Sequence, residues 1–126
     1  MASYLEHMAL KVADLDWHIQ FFEEVFNMPV RMSLGEAPHR KVWLHAGLQL
    51  NEDTEFQNVE GRADHLGIMP TDYEETLERA YQVEGVTEHP MGHNWIILPS
   101  GMVIEIVKPN PQVVQDIIDM KPWPEE

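Results

Sequence analysis

The order of apolar and polar positions sorts the chain into two copies of one plan. Residues Glu6-His7-Met8-Ala9-Leu10-Lys11-Val12-Ala13-Asp14 align with Asp64-His65-Leu66-Gly67-Ile68-Met69-Pro70-Thr71-Asp72 at a constant offset of 58 (65 − 7 = 58). In each copy an acid and a histidine open a short apolar stretch, and an aspartate closes it. The period then changes from about 2 to about 3.6. Leu15, Ile19, Phe22, Val25 and Phe26 are spaced for one face of a helix over 15–26, with Asp14 placed to cap it. Asp72 heads a second helix with Leu77, Ala80, Tyr81 and Val83 inward, and Gly85 stands just past its end, where a left-handed residue stops a helix.

Short β-like runs follow each helix. They cover 29–34, 41–45 and 48–52 in the first half, and 87–90, 94–98 and 102–107 in the second. Gly35-Glu36-Ala37-Pro38, Ala46-Gly47 and Pro99-Ser100-Gly101 supply turns between them. Both halves therefore read βαβββ, an α+β arrangement. The expected layout is a single domain over 1–126, with module one at about 4–52, a polar linker at 53–61 and module two at about 62–108. Val113, Val114, Ile117 and Ile118 predict a C-terminal helix over about 111–120.

Charge narrows the function. Against 22 Asp+Glu the chain carries only 8 Lys+Arg, a formal net charge of −14, which repels phosphate backbones and anionic lipid. Nucleic-acid binding and membrane attachment are set aside. No window offers the ~20 apolar residues of a membrane helix, and the amino terminus lacks a signal-peptide pattern, so a cytoplasmic location is expected. With no cysteine, any metal must be held by nitrogen and oxygen, and the chain has 7 histidines to offer.

His7 and His65 open equivalent strands and, if the halves are related by approximate twofold symmetry, can converge. In the run Met102-Val103-Ile104-Glu105-Ile106-Val107, alternation puts Glu105 on a face with Val103 and Val107. A bare carboxylate there is costly and calls for a cationic partner. Two imidazoles and one carboxylate form a common set for a divalent ion, iron(II), manganese, nickel or zinc. The first-half counterpart of Glu105 is Gln49 at an offset of 56 (105 − 49 = 56) or Asn51 at 54 (105 − 51 = 54), and His45 shares the parity of both. Among the other histidines, His93 reads either as a substrate contact or as a loop residue, His18 as an exposed helix position, and His39 and His89 as surface. Arg31, Arg40 and Lys41 either receive a substrate carboxylate or are spent on the abundant acids.

The repeated βαβββ plan, the histidine opening each half, the Asp-then-helix step and Pro99-Ser100-Gly101-Met102-Val103-Ile104-Glu105-Ile106 resemble the vicinal oxygen chelate superfamily over about residues 4–108. That group includes glyoxalase I, fosfomycin resistance proteins, extradiol dioxygenases and bleomycin-binding proteins. The resemblance implies a cupped sheet of paired modules and a metal held by His7, His65 and Glu105, with a small substrate chelating through adjacent oxygens. It also implies Gln49 where glyoxalase I usually carries a glutamate ligand, so Gln49 and His45 stand beside Glu105 as candidates for the catalytic machinery. Lost ligand charge argues against isomerisation by two carboxylates, and a net charge of −14 argues against a phosphonate substrate. The expected function is a small metal-dependent enzyme, a lyase or isomerase or an iron(II) dioxygenase, acting as a homodimer. The alternative is a metal-free binding protein for a cationic ligand.

Overall fold

The computed structural model describes residues 7–57 and 63–108, together with Gln112, Gln115 and Asp119. Two compact units emerge, one on Met1–Phe56 with Gln115–Glu126 and the other on Gln57–Val114. Each carries one helix and one four-stranded mixed sheet. The first unit runs β1 (Met8–Val12), α1 (Leu15–Phe26), β2 (Val30–Leu34), β3 (Lys41–Leu44) and β4 (Leu48–Glu52). The second runs β5 (Leu66–Ile68), α2 (Tyr73–Gln82), β6 (Thr87–His89), β7 (Gly92–Ile97) and β8 (Val103–Ile106). Both units are βαβββ modules, as the pattern predicts.

The strand orders are β1-β4-β3-β2 and β5-β8-β7-β6, so in each unit the first strand lies beside the last. Those two pairings, β1 with β4 and β5 with β8, are parallel, and the others are antiparallel. A parallel neighbour needs a crossover connection, and the helix with its following hairpin provides it.

The first helix has the limits its pattern predicts. Asp14 caps it by accepting from the Trp17 amide at 3.1 Å. At its far end Asn27 takes a left-handed conformation at φ 56°, and its amide reaches the Glu23 carbonyl at 3.1 Å. Leu15, Phe21, Phe22, Val25 and Phe26 are buried with Val12, Val42, Leu44, Leu48 and Leu50 of the strands. Arg40 ties the module together. Its guanidinium donates from Nε to Glu52 Oε1 at 2.9 Å, from Nη2 to Oε2 at 2.6 Å, and from Nη1 to Asp16 Oδ1 at 2.9 Å. The Arg40 hydrogen bonds hold the Glu52 carboxyl down to about 2 against the opposing effect of burial. Arg40 thus joins β4 to the first turn of α1 and is spent on acids, the second of its two expected fates.

His18 departs from expectation. It is only 2% exposed, and its Nδ1–H donates to the Asp14 carbonyl at 2.6 Å while Trp17 packs edge-on at 5.0 Å. The Asp14 carbonyl, which also accepts from the His18 amide at 3.4 Å, satisfies the imidazole and lets it share the buried stripe with Leu15 and Phe22. Burial pushes the His18 pKa below its ordinary 6.5, outweighing the Asp14 carbonyl and charge, which raise it. In the unfolded chain the ring titrates at about 6.5. Its contribution is therefore complete above that value and is lost as pH falls through it toward the lower folded value. Urea midpoints should fall between about pH 7.5 and pH 5.5, by at most about 1.4 kcal/mol per pH unit from this residue. His18→Gln should remove that part of the pH dependence; an unchanged slope would count against the assignment.

The second helix follows its pattern less closely. Asp72 is the cap position, but its carboxylate accepts from Thr76 Oγ1 at 3.0 Å and Arg79 Nη2 at 2.9 Å rather than from the backbone. Thr76, Leu77 and Ala80 are buried with Ile96, Leu98, Ile104 and Ile106. Gly85 has φ +91°, as expected of a stop signal. Of the expected C-terminal helix, Val113, Val114, Ile117 and Ile118 lie outside the described residues. Gln112, Gln115 and Asp119 are helical and exposed, with Gln115 donating to Asp119 at 2.9 Å. Among the described residues no helix is long and apolar enough to cross a membrane.

Candidate functional site

The sheet of the second unit carries one polar row. Ile104 and Ile106 are fully buried, so alternation turns Glu105 to the opposite face with Val103 and Val107. In the ladder Glu105 sits between Gly67 of β5 and Trp95 of β7. His65, one step before β5, places Nε2 at 3.7 Å from Glu105 Oε1 and its ring at 4.5 Å from that of Trp95. The absence of a side chain at Gly67 leaves the flank of Glu105 open: a Cβ there would meet only Val107, at 3.8 Å. His65 Nδ1 bonds Asp64 Oδ2 at 2.6 Å. On the far side of Trp95 lies His89, ring to ring at 5.7 Å, its Nδ1 accepting from the Met91 amide at 3.1 Å. His65, Glu105, Trp95 and His89 thus come from, or next to, the four strands in their spatial order.

Two of these four escape a reading by residue type. Expected on the surface, His89 is half-buried beside Trp95. Trp95 was legible in principle, because it alternates with the apolar Ile96 and so shares the face of Glu105. His93 lies on β7 rather than in a loop before it, since the β6–β7 pairing shifts register between Glu88 and His89 and the strand starts at Gly92. Its ring stacks on Tyr81 at 4.5 Å and 3°, its Nδ1–H donates to Glu88 at 2.6 Å, and the Tyr81 hydroxyl donates to its carbonyl at 2.6 Å. Burial, with the nearby Glu88 charge, holds the Tyr81 hydroxyl above the ordinary phenol value.

The first unit shows the neutral counterpart of this row. Ala9 pairs with Gln49 as Gly67 pairs with Glu105, and Ala9 and Gly67 are equivalent in the repeat. The parallel ladders therefore match Gln49, not Asn51, to Glu105. Trp43 flanks Gln49 as Trp95 flanks Glu105. Gln49 is 6% exposed and its Nε2 donates to Asn51 Oδ1 at 2.7 Å. His45 is half-buried, its amide donating to the Pro29 carbonyl at 3.1 Å. His7 is exposed at the step before β1, equivalent to His65. Among the described residues no three His, Cys, Asp or Glu side chains gather into a metal-holding group. The pair that does come together is His65 with Glu105.

No protein-family model matches the chain, and no curated protein matches it. Solved structures do. The trypanothione-dependent glyoxalase I of Leishmania major superposes with a TM-score of 0.69 at 21% identity, over 95% of this chain and 96% of its own. FosX, a fosfomycin resistance protein of Listeria monocytogenes, gives 0.68 at 21% identity in its complex with Mn(II) and sulfate, over 89% of this chain and 97% of its own. FosX of Mesorhizobium loti gives 0.66 at 15%, over 92% and 99%. The fold is that of these glyoxalase I and FosX structures. Of the two βαβββ modules, the first carries the amide of Gln49 and the second the carboxylate of Glu105 at the matched central position.

Proposed function

We propose that this chain is a metal-dependent enzyme of the glyoxalase and dioxygenase type, in which His65 and Glu105, joined by His7, hold one divalent ion and a small substrate binds through two neighbouring oxygens. The 3.7 Å approach of His65 Nε2 to Glu105 Oε1 carries this reading. Donors each about 2.0–2.2 Å from a shared ion stand roughly 3–3.5 Å apart, so the pair fits one ion with a shift of a few tenths of an ångström. One or two imidazoles with a carboxylate suit iron(II), manganese, nickel or zinc, and the Mn(II) complex of FosX supports manganese as the first ion to test. When bound, the ion would act as a Lewis acid on the ligand oxygens.

The chain's own residues supply the rest. Trp95 flanks Glu105 in the ladder and sets its ring 4.5 Å from that of His65. Glu105 is the carboxylate placed to take or return a proton beside the bound ligand. Gln49 and His45 line the equivalent face of the first module, where an amide replaces the second carboxylate. That replacement supports chemistry needing one carboxylate base rather than two.

Metal analysis of protein purified without chelator tests the reading. One divalent ion per chain is expected; a metal-free wild type that takes up neither manganese nor iron(II) would overturn it. Mixing His7→Ala with Glu105→Ala protein then asks where His7 comes from. In a homodimer with shared sites, random exchange restores about a quarter of the sites, whereas a site built within one chain regains none.

A second reading, metal-free capture of a cationic ligand, draws on the net charge of −14 and on the aromatic face of Trp95 beside Glu105. Calorimetry with a basic glycopeptide drug in the presence of chelator separates the two, since only the second reading gives heat there.

A further inference from the structure

We propose that Asp64 is a positioning residue that fixes the proton of His65 on Nδ1 and so turns the lone pair of Nε2 toward Glu105. This rests on the metal reading above and adds to it a residue outside the ligand set. A carboxylate can only accept, so the 2.6 Å contact between Asp64 Oδ2 and His65 Nδ1 requires the neutral imidazole to carry its hydrogen there. The other nitrogen agrees. Nε2 stands 3.7 Å from Glu105 Oε1, too far for the hydrogen bond that an Nε2–H would make with a carboxylate, and close enough for two donors that share an ion. With the opposite tautomer the histidine would present a proton to Glu105 and close the site.

The pairing of carboxylate, imidazole and metal is a recurring way of orienting a histidine ligand. Asp64 is 93% exposed, so its bond adds little to folding stability; its effect is on the proton position. The sequence adds a second observation. The acid-then-histidine step occurs in both repeats, Glu6-His7 and Asp64-His65.

His89 supplies an internal reference for the test. Its Nδ1 accepts from the Met91 amide, so its hydrogen sits on Nε2, the opposite tautomer to His65. Nitrogen-15 correlation spectra of metal-free protein at about pH 8.5, roughly two units above the ordinary imidazole pKa, distinguish the two forms. In the wild type His65 should show a protonated Nδ1 and His89 a protonated Nε2. Asp64→Ala should move His65 toward the Nε2–H form and weaken Mn(II) binding about 10-fold, the low end for an orienting partner because the bond is exposed. Asp64→Asn, whose amide oxygen still accepts, should restore the Nδ1–H form and most of the affinity. A His65 that keeps its Nδ1 proton in Asp64→Ala, or carries it on Nε2 in the wild type, would overturn the proposal. A wild type with the expected tautomer but no Mn(II) binding would overturn the metal reading alone, while the response of the tautomer to Asp64→Ala still decides the role of Asp64.

Discussion

His65→Ala and Glu105→Ala proteins should each lose their divalent ion, with affinity for Mn(II) falling by more than about 100-fold, beyond the 10–100-fold range of orienting partners. The reason lies in the row on the second sheet. The ladder fixes the backbone of Glu105 between Gly67 and Trp95, in the middle of the sheet and next to His65. His65 is held at Nδ1 by Asp64 at 2.6 Å, which leaves Nε2 3.7 Å from Glu105 Oε1. Removing either takes one donor from the proposed set of His7, His65 and Glu105. Glu105→Gln is the sharper variant, because it keeps the shape and removes the charge. Trp95→Phe is the control, and should keep the stoichiometry while changing tryptophan fluorescence. Equal metal content in the wild type, His65→Ala and Glu105→Ala would sink the site.

The largest stability effect should come from Phe22→Ala, at about 3–5 kcal/mol. Phe22 is fully buried, with its ring 5.4 Å from Phe21 and 6.0 Å from Phe26, inside the aromatic cluster that α1 presents to its sheet. Loss of the ring removes apolar burial and opens a cavity that neighbouring rings, themselves packed, cannot fill. Urea unfolding should show a lowered midpoint with an unchanged slope. Ile19→Ala, on the same stripe but half-buried, should cost roughly half of a full aliphatic burial, about 1 kcal/mol. Equal losses at the two positions would contradict the burial assignment.

Local chemistry made the first module readable. The Asp14 cap, the apolar stripe and the following alternation locate α1 to the residue and its strands to within one, because each signal acts over neighbours in sequence. The match of Gln49 to Glu105 was not readable, because the last hairpin turns differ in length and shift the count between copies. Only the parallel ladders, Ala9 to Gln49 and Gly67 to Glu105, decide it. His18 was assigned outward on polarity alone, although its spacing from Leu15 and Phe22 fits the buried stripe. What overrides polarity is a hydrogen bond to a carbonyl one turn back. The association of His65 with Glu105 was legible as part of the set of two imidazoles and one carboxylate, whereas their adjacency depends on the parallel pairing of β5 with β8. That of Trp95 with His89 depended on a register shift in β6–β7 that no local signal marks.

The placement of each module's first strand beside its last also governs how the protein is made. Parallel pairing of segments this distant in sequence carries a high loop-closure cost and is slow relative to hairpin formation. On a ribosome β5 emerges well before β8, and His65 has no Glu105 to meet until almost the whole module has been synthesised. The same strand that completes the ladder therefore brings Glu105 to His65.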